Sequence, residues 1–210
     1  MRNTEFISGF LFGIAEGSEI IPARILHHDR YLKAGYISTP SPSGMIEDEY
    51  VSNSIYFTCI ESATSKTVGV IRLIFRTLPS NFPCLSEFNL YSEDRQIISS
   101  LDLSTTVEIG SLAEHPGYKI AEGLYRFTWQ YSKWQFLSYW FGSIDSRLLK
   151  YYLRRGFPWK IIGEPRVYMG SETTPVMLDL AVLPNSLSQK SPRLFDYMEG
   201  TKPTFLYRSL

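Results

Sequence analysis

The hydrophobic positions of this chain fall into strand-like and helix-like runs whose order predicts a fold. Phe6, Phe10, Leu11 and Phe12, within residues 1–18, read as either a first strand or a partner-facing flap. From Ile20, the run IIPARILHHDRYLKAGY spaces Ile21, Ile25, His28 and Leu32 at helical intervals, with Pro22 in the first turn. Arg24, His27 and Arg30 fall on the polar side of that helix. The Pro/Ser/Gly loop Ser38–Gly44 reads as a mobile cover over a site. Two β-rich runs, Ser54–Ile60 and Val68–Phe75, flank a turn and predict an antiparallel hairpin. Arg72 interrupts the second run. An arginine inside a buried strand needs a carboxylate, and Glu108 is the expected partner.

Thr77–Pro83 reads as a Pro-rich loop, and Phe88–Leu103 has no assignable pattern. Thr105–Ile109 is rich in β-branched residues and predicts a strand that frays at Gly110-Ser111. A helix is expected from Ile120 to about Lys133. The nearly continuous apolar run Trp134–Gly142 predicts a strand buried on both faces. Asp145-Ser146 should cap a helix through RLLKYYLRR, stopped at Gly156. Phe157–Ile162 and Arg166–Met169 read as short strands, and Pro175–Val182 alternates and is expected to close the sheet. Beyond Pro184 the chain turns polar and Pro/Ser-rich. The expected organisation is a domain over residues 1–184 and an appendage over 185–210. The fold class is α+β (an α/β sandwich): a mostly antiparallel sheet with two late β-to-α steps, splayed where the Thr105 and Trp134 strands each feed a helix.

Composition narrows the functional classes. Lysine plus arginine, 21, equals aspartate plus glutamate, 21, so no basic field predicts a nucleic-acid partner. Apolar residues at 44% and charged residues at 20% describe a globular chain with enough length for its own core. Cys59 and Cys84 lack metal or CxxC spacing and read as reduced, buried residues of a cytoplasmic protein. Three histidines make a His-rich metal site unexpected, and the short apolar stretch ISGFLFGIA fits neither a signal peptide nor a membrane span.

Three stretches have counterparts in a known superfamily. The hairpin end VGVIRLIF, the strand-glycine-helix TTVEIGSLAEHPGYK and the helix end YLRRGF are together similar to the GNAT acyltransferases. More narrowly, the chain resembles the branch of acyl-homoserine-lactone (autoinducer) synthases and long-chain N-acyl amino acid synthases. Asp48-Glu49-Tyr50-Val51 stands for that branch's D-E-Y-D element, Gly69–Leu73 for G-x-x-R-L, and Glu108–Ser111 for E-x-S-R. Val51 replaces the second acid and Ser111 replaces the arginine. These departures argue against homoserine-lactone chemistry and leave acyl transfer to an amine.

The resemblance implies a GNAT-like fold, a mixed, mostly antiparallel sheet splayed at its centre with helices on both faces, and an N-acyltransferase that needs no covalent intermediate and no tightly bound cofactor or metal. Acyl-CoA or an acyl carrier protein would be the donor co-substrate, and an amine of an amino-acid-like molecule the acceptor. Glu108 would accept the amine's proton, and Tyr152 would protonate the leaving thiolate or simply pack on the core. Asp48, Arg72 and Arg30 would bind the acceptor or support the site. The backbone of Ile109, Gly110, Ser111, Leu112 and Ala113 would pair with the donor's pantetheine arm, and Gly117 and Lys119 would lie near its phosphate. Other expectations are an acetyl-CoA-dependent N-acetyltransferase and a catalytically silent relative that binds an acyl chain or a partner. Phe136, Tyr139 and Phe141 would line an acyl tunnel or belong to the core.

Overall fold

The computed structural model describes residues 4–76 and 81–200. Most of the expected Thr77–Pro83 loop and the last ten residues of the expected appendage lie outside the described residues.

The N-terminal residues form strands. β1 (Thr4–Ile7) and β2 (Phe10–Ile14) pair antiparallel, and β2 pairs onward with β3 (Ser54–Glu61). Between β2 and β3, α1 (Ile20–Ala34) ends at Gly35 with a left-handed φ of 78°. Its buried arc is Ala23, Leu26, His27 and His28, whereas Ile21 and Ile25 are exposed. The helix is therefore rotated from the face that its isoleucines suggested. Ala23 and Leu26 pack with Ala15, Tyr56, Val70 and Ala113, and that contact carries both histidines inward. Such inversion is possible because the small alanine allows close approach to the sheet, while two exposed isoleucines are tolerated on a surface.

β4 (Lys66–Phe75) follows β3 through a turn with Ser65 at φ 55°, as the hairpin pattern required. α2 (Pro83–Ser86) is a single turn, and α3 (Ser92–Ser100) lies in the stretch that carried no readable pattern. α3 buries only Asp94 and Ile98, so it has almost no apolar stripe to read. Asp94 is held by Lys160 at 2.6 Å.

β5 (Thr106–Glu114) does not fray at Gly110; it continues to Glu114 with Ser111 at φ 55°. A left-handed residue inside a strand is a local kink that redirects the chain without ending it. α4 (Ala121–Trp134) takes in Trp134, so β6 (Tyr139–Asp145) starts later than its apolar run suggested. Phe136 sits in the connection, exposed and at φ 55°. α5 (Ser146–Arg155) has the predicted ends: the Asp145 carboxylate accepts from the Arg147 and Leu148 amides at 2.9 and 3.3 Å, and Gly156 has φ 95°.

β7 (Lys160–Ile161), β8 (Arg166–Tyr168) and β9 (Ser171–Asp179) complete the sheet. The strand order is β1-β2-β3-β4-β5-β6-β9-β7, with β8 also paired to β9. β9 therefore lies inside the sheet between β6 and β7; it does not close it. β5 and β6 are parallel, and β6 and β9 are antiparallel. Beyond them α6 (Leu183–Lys190) and α7 (Pro192–Glu199) bury Leu183, Leu187, Leu194 and Met198.

The chain divides into two compact units. One contains Met1–Arg72, Ser111–Gln135 and Met198–Leu210, and the other Leu73–Gly110 and Phe136–Tyr197. In the first, Phe57 packs edge-on against Phe127 and Tyr131. In the second, Phe82, Cys84, Ile98, Phe141, Ile162 and Met177 form a core cluster.

Candidate active site

In the first unit, β4 carries Arg72 into a buried position, where burying a guanidinium demands an anion. The acid it holds is Asp48, not the expected Glu108. Arg72 Nη1 lies 2.9 Å from Asp48 Oδ2 and 3.1 Å from Oδ1. It also points at the Tyr56 hydroxyl at 3.4 Å, with the guanidinium carbon 5.9 Å from the tyrosine ring centroid. Burial opposes the charge on Arg72, but Asp48 and Tyr56 more than offset it and raise its pKa. Asp48 is itself partly open to solvent and accepts from the Tyr50 amide at 3.0 Å.

α1 presents three further polar side chains to the same unit. Arg24 Nη2 donates to the Ile46 carbonyl at 3.0 Å and to Glu47 at 2.5 Å. His28 Nε2 accepts from the Ser41 amide at 3.0 Å, which assigns the ring proton to Nδ1, 3.3 Å from Asp29. The Ser38–Gly44 loop is therefore tied to α1 at Ser41. His27 is almost fully buried, stacked edge-on to Tyr31 at 4.2 Å. Burial, then the positive charge of Arg72, with His28 and Arg24 behind it, lowers its pKa to about 3. His27 is neutral at any ordinary pH. Three nitrogens here, Arg24 Nε, Arg72 Nε and His27 Nε2, are buried with no hydrogen-bond partner among the described residues. Arg30 lies half-buried on the same helix, and its charge helps lower the pKa of His115, after burial and Lys66.

In the second unit, Glu108 is 4% exposed and fixed from two sides. Its Oε2 accepts from the Cys84 amide at 2.8 Å, and its Oε1 accepts from the Ser143 hydroxyl at 3.3 Å. Burial and the Glu108 charge push the Cys84 thiol well above its usual range, so this cysteine is no thiolate nucleophile. Pairing of β5 with β6 covers only Thr106–Glu108 against Tyr139–Phe141 and then stops. Beyond that point β6 continues against β9, and the Ile109 carbonyl lies 3.4 Å from where a Cβ on Gly142 would stand, an ordinary contact distance. Tyr152 is buried on α5 and packs on Phe157 at 5.5 Å. Phe141 is core, against Phe82 at 5.6 Å.

Of the predicted donor-binding stretch, Ile109 and Gly110 belong to the second unit, and Ser111, Leu112 and Ala113 to the first. All five lie on β5 around its kink. Gly117, at φ 89°, and exposed Lys119 lie in the turn before α4. Glu114 closes that turn: its carboxylate accepts from the Ile120 and Ala121 amides at 3.1 and 3.2 Å. The sequence pattern did not single out His27, Glu47, Tyr56, Cys84 or Ser143 as members of a site. For His27 a local signal exists, because the spacing of Ala23, Leu26 and His27 traces the inward arc of α1. Nothing local marks the other four.

A strand kinked just beyond a buried glutamate, short parallel pairing to the next strand, and a helix after each define a class. A mixed sheet with helices on both faces in this arrangement is the GNAT-like acyltransferase fold. A family profile described as "N-acyl amino acid synthase FeeM" matches residues 22–181, so the chain belongs to the FeeM N-acyl amino acid synthase family. It is an acyltransferase, moving an acyl group from a thioester to an amine. Among solved structures, it is similar to FeeM, an N-acyl amino acid synthase from uncultured soil microbes. The TM-score is 0.65 at 16% identity, covering 84% of this chain and 95% of that one. The CoA-dependent acyl-homoserine lactone synthase BjaI, with SAM and isopentyl-CoA, gives 0.63 at 18% identity over 83% and 81%. The AHL synthase LasI gives 0.65 at 13% identity over 89% and 96%. Curated protein sequences gave no match.

Proposed function

We propose that the protein acylates the amino group of an amino-acid-like acceptor, using a fatty acyl thioester of coenzyme A or an acyl carrier protein. The observation that carries this reading is the Asp48–Arg72 pair: a compensated acid at the end of a buried arginine, still partly open to solvent. Such an acid suits an ammonium group, and family membership supplies the donor half of the reaction. The acceptor nitrogen, once neutral, attacks the thioester carbonyl. A C–N bond forms, the C–S bond breaks, and the nitrogen loses a proton. Glu108 takes that proton through a water, held in place by Cys84 and Ser143. Tyr152 returns a proton to the leaving thiolate. Backbone groups of Ile109–Ala113 line the donor's pantetheine arm. The two free, buried cysteines fit a cytoplasmic setting.

The test is donor profiling with acetyl-, octanoyl- and palmitoyl-CoA and the matching carrier-protein thioesters, following thiol release in the presence of free amino acids. The reading expects release with medium- or long-chain donors, and a fall of about 10²- to 10⁴-fold in kcat for Glu108→Gln. Turnover with acetyl-CoA alone would identify a short-chain acetyltransferase instead. Acyl binding without turnover, unchanged in Glu108→Gln, would identify a silent acyl-binding relative.

A further inference from the structure

Three nitrogens of the first unit, Arg24 Nε, Arg72 Nε and His27 Nε2, are buried with no partner among the described residues, whereas nearly every buried polar atom in a folded protein has one. The two arginine nitrogens can only donate, because a guanidinium has no acceptor. The charges of both arginines reach His27, Arg72 more strongly than Arg24. Each arginine already holds one carboxylate with its Nη atoms, Asp48 for Arg72 and Glu47 for Arg24. The charges of the two pairs therefore cancel, and His27 adds none. A bare amine would meet Asp48 and leave the donors unsatisfied. A bare acid would meet the donors and leave a net negative charge. A zwitterion satisfies both ends.

We propose that His27 is an acceptor-binding residue: its Nε2–H, with Arg24 Nε and Arg72 Nε, seats the carboxylate of an α-amino acid whose ammonium group faces Asp48. This rests on the acyl-transfer reading above and adds the element that selects among amines. His27 does so as a neutral donor. Burial first, and the arginines after it, disfavour an imidazolium, and a neutral ring places a hydrogen bond without adding charge. Its edge-on contact with Tyr31 fixes the ring plane.

The experiment compares free L-amino acids with their carboxamides, as acceptors and as ligands, in wild type, His27→Phe and His27→Gln. Acceptor kinetics use octanoyl- and palmitoyl-CoA and the matching carrier-protein thioesters; thermal denaturation, with no donor present, reports both folding and binding. The wild type is expected to favour the carboxylate form by about tenfold or more. His27→Phe should erase that preference by raising KM for the amino acid, with kcat and the carboxamide's KM little changed. His27→Gln, a neutral donor of similar reach, should restore most of it. Equal use of acid and amide by the wild type overturns the seat while leaving amine acylation standing. So does a folded His27→Phe with unchanged KM, or a folded His27→Gln that behaves like His27→Phe. If no amine is acylated but amino acids stabilise the wild type and not His27→Phe, the seat holds and the acyl-transfer reading falls. With neither acylation nor stabilisation, both fall.

Discussion

Burying His27 as a neutral ring makes the folded protein sensitive to acid in a way that one substitution should remove. In the unfolded chain this imidazole titrates near the ordinary 6.5; in the folded protein burial, Arg72, His28 and Arg24 lower it to about 3. The group's folded pKa is depressed, so the unfolded state binds the proton first. Its contribution is constant above pH 6.5 and is lost progressively as pH falls from 6.5 towards 3. Between pH 7.5 and pH 5 the loss from this group amounts to about 2 kcal/mol. For a chain of this length that is a shift of about 4–8 °C in Tm. His27→Gln has no titrating group there and should lose that much less over the same interval. The assay is denaturant unfolding at a series of pH values for both proteins, read as the difference of the two curves, so that the carboxylates common to both cancel. Parallel curves from pH 7.5 to pH 5 would refute the reasoning. They would mean that His27 is solvated, or is charged in the fold with a carboxylate beside it.

Two further substitutions test the packing and the helix signals. A Cβ at Gly163 would stand 2.5 Å from the Asn89 carbonyl oxygen and 3.0 Å from Leu90 Cα, both backbone. Gly163→Ala should therefore cost about 1–3 kcal/mol, whereas Gly142→Ala, with its nearest neighbour at 3.4 Å, should show far less, as thermal denaturation would reveal. Asp145→Ala removes both hydrogen bonds at the start of α5 and should cost about 1 kcal/mol in urea unfolding, while Asp145→Asn should retain most of the cap.

The parts of the fold legible in the sequence are those with a local cause. The β3–β4 hairpin came from β-branched runs on either side of a turn, and α5 from a capping acid and a terminal glycine. The parts that were not legible depend on distant residues. α1 shows this most clearly: Ile21 and Ile25 have the right spacing for a buried face, yet Ala23, Leu26 and the histidines take it. The choice is made by Tyr56, Val70 and Ala113 of the sheet, against which Ala23 and Leu26 pack. β5 is a second case. Gly110-Ser111 has the composition of a turn, but a strand with pairing on offer can absorb a single left-handed residue and run on. Trp134 is a third. It belongs equally to an apolar strand and to an amphipathic helix, and α4 claims it.

The candidate site follows the same division. That Arg72 needed an acid was a matter of burial and could be argued from its strand; which acid could not. Asp48 and Glu108 are both within reach of a strand pattern, and only the fold assigns the first to Arg72 and gives the second to the Cys84 amide and the Ser143 hydroxyl. His27 read as part of a polar helix face because histidine is neutral in sequence and ambiguous in burial. The role proposed for it needs Arg72, distant in the chain, as well as Arg24 one turn back on α1.

The most direct test of acyl transfer to an amine is mass spectrometry of the organic product. Octanoyl-CoA, or octanoyl carrier protein, is incubated with the enzyme and a mixture of free amino acids. N-octanoyl amino acid should appear in step with free thiol, one for one, and should be almost absent with Glu108→Gln. Thiol release accompanied by free octanoic acid and no amide would contradict the account.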